Sequence, residues 1–147
     1  MKKGCENISS RCKYTTKEVN LLARLLRSEA VGEGNFGMLL VGNVVINRVV
    51  ANCDVFRKTT TISDVIYQRN AFEGINTPLF QGNANTKLRE LALKNIKGYR
   101  AEPANRALWY RNPGKNVSCS ARFYGTLSGR YKQHCFYNPT SDLGCNL

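Results

Sequence analysis

An α+β domain, with helices first and a small antiparallel sheet after them, is the fold class this sequence predicts. Three observations predict it. Apolar residues recur at helical spacing between residues 15 and 97. From residue 106 the pattern changes to short aromatic and β-forming runs punctuated by Gly, Pro, Asn and Ser, and no internal repeat or low-complexity linker divides the chain. At 147 residues, 42% hydrophobic and 10% aromatic, the chain holds enough apolar side chains to offset the entropy of ordering one globular domain. Two lobes of such different character predict a cleft between them, a usual ligand site.

Residues 1–14 lack periodicity and are expected to form a flexible tail ahead of a domain spanning 15–147. Thr15 and Glu18 have capping-box spacing, so a helix should start there and run to about Ala30, burying Val19, Leu22, Ala23, Leu25 and Leu26. Gly32 and Gly34 should stop it. Residues 36–51 are the most hydrophobic run. Their β-branched content favours strand, yet their length and the polar side of Asn43, Asn47 and Arg48 favour a buried helix. Ser63 is placed as the cap of a short helix through Tyr67. A further helix over about 86–97 should turn Leu88, Leu91, Ala92 and Ile96 inward, pair Glu90 with Lys94, and end at Gly98. Strands are expected at 107–110, 121–124 and 134–137.

The 22 Lys and Arg against 10 Asp and Glu give a net charge of +12, which attracts polyanions. These residues are scattered rather than gathered on one stripe, so an anionic surface or wall polymer is expected and nucleic acid is not; a merely solvated basic surface fits the same count. Residues 1–7 hold two lysines and no apolar run, so no secretory signal peptide is expected, and no stretch approaches transmembrane length. The six cysteines contain no C-x-x-C pair, and the chain has a single histidine, so no metal site is expected. Cys5 with Cys12 and Cys135 with Cys145 are candidate disulfides for an oxidising location; reduced, partly buried thiols are the alternative.

Glu29 is the most informative residue. On a helical wheel it falls between Leu22 and Leu25, on the apolar face and near the helix C-terminus. Desolvation and the negative end of the helix dipole both raise a carboxyl pKa, and a carboxylic acid protonated near neutral pH is what glycoside cleavage requires of its proton donor. A buried salt bridge to Arg27, Arg48 or Arg69 would use the same placement. Glu33, within Gly32-Glu33-Gly34, is a candidate second carboxylate or substrate-binding group, with a solvated turn residue as its alternative.

Four ordered blocks carry a resemblance: residues 22–34 around Ser28-Glu29-Ala30; residues 37–49 with Gly42-Asn43-Val44-Val45-Ile46-Asn47-Arg48; residues 62–73 with Ile66-Tyr67-Gln68 and Phe72-Glu73; and residues 132–140 with His134-Cys135-Phe136-Tyr137. Together they resemble the cell-wall hydrolase family of spore cortex-lytic enzymes, of the SleB and CwlJ type, and sit closer to CwlJ. The resemblance implies a lysozyme-like fold with Glu29 catalytic. It also implies a cleft lined by Tyr67, Gln68, Phe72, His134, Phe136 and Tyr137, although Phe72 and Phe136 also suit a core, Tyr67 suits packing under the helix and His134 a structural role. Trp109 and Tyr110 either stack on sugar faces or close the core. Arg69 stands where such families often have proline.

By the same resemblance the chemistry is lytic transglycosylation of peptidoglycan in the spore cortex. Glu29 protonates the bond between N-acetylmuramic acid and N-acetylglucosamine, and the muramyl C6 hydroxyl captures the anomeric carbon; a water held by Glu33 would instead give hydrolysis. No cofactor is implied. Location in the spore coat or envelope, with a coat-anchoring partner protein, belongs to the same expectation. The competing classes are a basic wall- or coat-binding protein without turnover and a thiol hydrolase. The second is disfavoured, because His134 and Cys135 are strand neighbours facing opposite ways.

Overall fold

A computed structural model describes residues 10–147. Helix α1, Thr16–Ala30, starts on the expected capping box: Thr15 Oγ1 accepts from Glu18 N (3.1 Å) and Glu18 Oε1 accepts from Thr15 N (3.2 Å). Glu18 Oε2 reaches further and accepts from the backbone N–H and hydroxyl of Ser63 at 2.9 and 3.0 Å. Ser63 is thereby a brace between helices rather than a cap. Thr61 caps α3, Ile62–Ile66, in its own capping box with Asp64.

After α1 a single 3-10 turn, Val31–Glu33, leads into α2, Gly34–Val50. Gly34 has φ +78, a left-handed backbone that glycine adopts without steric cost, so the two helices are divided at the expected glycine although α2 begins two residues early. Every residue from Gly37 to Val50 is buried, which explains the unbroken hydrophobic run. The polar side of α2 faces a loop and not solvent. Asn43 Nδ2 donates to Tyr99 O (2.6 Å), Asn47 Nδ2 to Ala107 O (2.8 Å), and Arg48 Nε to Leu108 O (2.7 Å), satisfying buried carbonyls that would otherwise be orphaned.

Helix α4, Thr86–Ile96, buries the four expected residues and ends at Gly98, φ +119. Its Asn95 Nδ2 donates to Leu39 O (2.9 Å), and a Cβ at Gly42 would lie 1.8 Å from Asn95 Oδ1, so α2 and α4 touch where only glycine fits. Glu90 and Lys94 are exposed and form no ion pair among the described residues. The expected tail is partly corrected. Arg11 N donates to Ile96 O (2.6 Å) and Cys12 is fully buried, so packing begins by residue 11.

The sheet has four antiparallel strands in the order β1-β4-β3-β2: β1 Trp109–Arg111, β2 Arg122–Phe123, β3 Gly125–Tyr131 and β4 His134–Asn138. Three coincide with the expected runs. The longest, β3, was not expected, because Gly125, Ser128 and Gly129 break its apolar alternation and a bulge lies between Leu127 and Gly129. Among the described residues two disulfides form, Cys53–Cys145 tying the segment after α2 to the C-terminal end and Cys119–Cys135 tying the segment before β2 to β4, in place of the candidate Cys135–Cys145 pair. Cys12 is a free buried thiol; Cys5 lies outside the described residues. Helix α2 divides the core. Val41, Val45 and Val49 pack with α1 and α4, while Leu40 and Val44 pack with Phe136 of the sheet.

No helix among the described residues is long and apolar enough to cross a membrane.

Candidate active site

Glu29 occupies the last turn of α1, at the floor of a cleft of about 570 Å³ between the helical lobe and the sheet. Ser28, Asn70, Glu73, Gly74 and Thr77 line it from the helical side, and Tyr110, Arg111, Asn112, Phe123 and His134 from the sheet side. The carboxyl is held from both walls. Tyr110 donates its hydroxyl to Oε1, and Gly74 N donates to Oε2 at 2.6 Å. A Cβ on Gly74 would lie 2.4 Å from both Glu29 Oε2 and Ser28 Oγ, so glycine is needed there for the loop to approach the acid.

Burial raises the Glu29 pKa above the ordinary carboxylate range. The Tyr110 and Gly74 hydrogen bonds pull it down, the charge of Glu73 pushes it up, and that of Arg48 pulls it down, with the net shift upward. Arg27, Arg48 and Arg69 form no ion pair with Glu29 among the described residues, so the salt-bridge alternative falls. Arg27 donates instead to Leu79 O (2.6 Å) and Gln81 O (2.8 Å). Arg48 lies under the cleft with its guanidinium over the rings of Phe72 (5.0 Å) and Phe56 (5.3 Å); burial lowers its pKa to about 10, which leaves it charged at neutral pH. Tyr110, half-buried beside Glu29, has its pKa raised well above the ordinary phenol value, first by desolvation and then by the carboxylate, so it stays a hydroxyl donor.

Several expected site residues lie elsewhere. Glu33 is buried off the cleft, its Oε1 3.2 Å from His134 Nδ1 and accepting from Gln133 N at 3.1 Å. It is neither a second carboxylate in the cleft nor a solvated turn residue, but a brace between the α1–α2 junction and the sheet. His134 does reach the cleft, edge-on to Tyr110 at 5.1 Å; its pKa is lowered by burial and partly restored by Glu33. Phe72 sits behind the site, stacked on Tyr110 at 6.3 Å. Tyr67 is 56% exposed in a separate depression with Glu18 and Arg24, and Gln68 is absent from the cleft wall. Phe136 and Tyr137 are fully buried, and Trp109 is nearly so, all three in the core. Sequence reasoning did not single out Glu73, Asn70, Arg111 or Phe123. Asn70 and Glu73 lie in the third motif block, which offered a signal; Arg111 and Phe123 come to the cleft only through folding.

A carboxyl with a raised pKa at the base of an interlobe groove is placed as a proton donor to a bound ligand requires. The family profile described as Cell Wall Hydrolase matches residues 32–137. The chain is 47% identical over 134 residues to the cell wall hydrolase CwlJ of Bacillus subtilis (strain 168), covering 90% of this chain and 93% of that protein. It is 33% identical over 105 residues to a spore cortex-lytic enzyme of Oceanobacillus iheyensis, covering 71% of this chain but 36% of that longer protein. The catalytic domain of the Bacillus cereus SleB protein superposes with a TM-score of 0.68 at 24% identity, over 90% of this chain and 98% of that domain. This chain belongs to the cell wall hydrolase family, and its fold is the lysozyme-like arrangement expected of it.

Proposed function

We propose that this protein is a peptidoglycan glycosidase that cleaves bonds between N-acetylmuramic acid and N-acetylglucosamine in the spore cortex during germination, as a lytic transglycosylase. The observation that carries the proposal is the Glu29 carboxyl, desolvated at the cleft floor yet held by the Tyr110 hydroxyl and the Gly74 N–H. Desolvation keeps the proton available to the glycosidic oxygen. The two donors and Arg48 then favour the carboxylate left when the proton has gone. As the C1–O bond breaks, the muramyl C6 oxygen bonds to C1 and its hydroxyl proton passes to that carboxylate. The acid is restored, and one product carries a 1,6-anhydro end.

A spore coat or envelope location, with an anchoring protein there, belongs to the same proposal. It is supported by the names of the relatives, by a net charge of +12 suited to an anionic wall, and by two disulfides suited to an oxidising compartment.

Hydrolysis is the second outcome, and a specific observation favours it: Glu73 lines the same cleft and acts on Glu29 through its charge. With Glu33 committed to His134, Glu73 is the carboxylate available to hold a water. Mass spectrometry of muropeptides released from purified cortex separates the two. Anhydro ends are expected, and reducing ends would overturn transglycosylation. Glu29→Gln should lower release by about a thousandfold while leaving binding intact; undiminished release would overturn the assignment of Glu29.

A further inference from the structure

Tyr124 is the most exposed large hydrophobic residue described, at 76%, and it stands in the tight connection between β2 and β3 with φ +61. A bulky side chain in the left-handed region is an outlier whose strain must be held by its surroundings, and such outliers gather at functional sites. Its surroundings are built for it. One face of the ring stacks on Trp109 (centroids 6.0 Å, 29° between planes), and its edge meets Phe123 at 4.8 Å. The next residue, Gly125, could carry no side chain: a Cβ would lie 2.1 Å from Asn138 O and 2.9 Å from the Trp109 ring. The ring is thus braced from below by a nearly buried tryptophan and open above. Phe123, beside it, lines the cleft together with Arg111, whose guanidinium lies 5.5 Å over the Phe123 ring.

We propose that Tyr124 is a sugar-stacking platform: its open face receives a pyranose ring of a glycan strand as the strand leaves the sheet side of the cleft, outside the bond being cleaved. The inference rests on the glycosidase proposal above. A pyranose presents one face of C–H groups and a rim of hydroxyls. A rigid tyrosine, apolar on its face and polar at its tip, matches that surface at little entropic cost. Continuity with Phe123, which lines the cleft, supplies the direction of the strand.

The test uses the Glu29→Gln protein, which should bind without turnover, and peptide-free glycan strands prepared from purified cortex. Trp109 is the only tryptophan of the chain, so its emission reports events on the ring above it. Saturable emission change is expected on titration. Tyr124→Gly, and separately Tyr124→Asn, both suited to a left-handed backbone, should keep the melting temperature near that of the parent. Both should bind long strands about three- to tenfold more weakly by calorimetry. Tyr124→Phe should retain binding. Unchanged affinity in both small variants overturns the platform. Cortex lysis by the wild-type protein is measured alongside: a wild type that releases muropeptides confines that failure to Tyr124, and one that releases none overturns the glycosidase proposal and this one with it.

Discussion

Two hydrogen bonds and a desolvated setting hold the Glu29 carboxyl, and each can be altered singly. Tyr110→Phe removes a donor that lowers the Glu29 pKa, so that pKa should rise. In the proposed reaction activity requires the protonated acid and is lost as pH climbs through its pKa; the alkaline limb of the pH–rate profile should therefore move to higher pH. Turnover should also fall about tenfold or more, because the carboxylate formed in the reaction loses a charge-assisted partner. A profile that keeps its alkaline limb in place would show that another group limits the rate there. Glu29 itself was legible in the sequence because helical periodicity alone puts it on the buried face. Its donors were not legible as such: Tyr110 stood only as a candidate for sugar stacking or the core and Gly74 was not singled out, since they lie 81 and 45 residues away and no local pattern announces which loop will close on a helix end.

Among the elements, the brace between the α1–α2 junction and the β3–β4 turn is the one the sequence did not reveal. Glu33, flanked by Gly32 and Gly34, is open in the sequence to two readings, a cleft carboxylate or a solvated turn residue, yet the turn is clamped under the sheet by His134 and Gln133. Glu33→Ala would leave the His134 ring and the Gln133 N–H without their acceptor in a buried setting. Chemical denaturation should show a loss of about 2 kcal/mol, and cleavage should weaken because His134 forms part of the cleft wall. Loss of stability without any change in cleavage would show that the brace is structural only. The helices were read well because capping boxes and apolar stripes are local signals. The sheet was read in part: β1, β2 and β4 carry aromatic runs, whereas β3 is half-exposed and rich in glycine and serine, and gains its pairing from neighbours on both edges.

For the whole molecule, one disulfide joins the segment after α2 to the C-terminal end and the other lies within the sheet half. Cys53–Cys145 spans 92 residues, and closing a loop of that size stabilises the folded state by about 4–5 kcal/mol through the unfolded chain. The double substitution Cys53→Ser with Cys145→Ser should lower the unfolding free energy by that order, whereas a melting temperature indifferent to it would assign the stability to the helical core alone. Neither pairing was legible, because six cysteines leave the choice to the fold. The carboxyl, the glycine that faces it and the tyrosine above it come from the first, middle and last thirds of the chain. On the reading proposed above, a nascent, nicked or half-melted molecule accordingly holds an ordinary solvated glutamate and no competent proton donor. On the same reading the capacity to dissolve a wall arises only on completion of the fold and should disappear at the first local opening, before global denaturation is detectable.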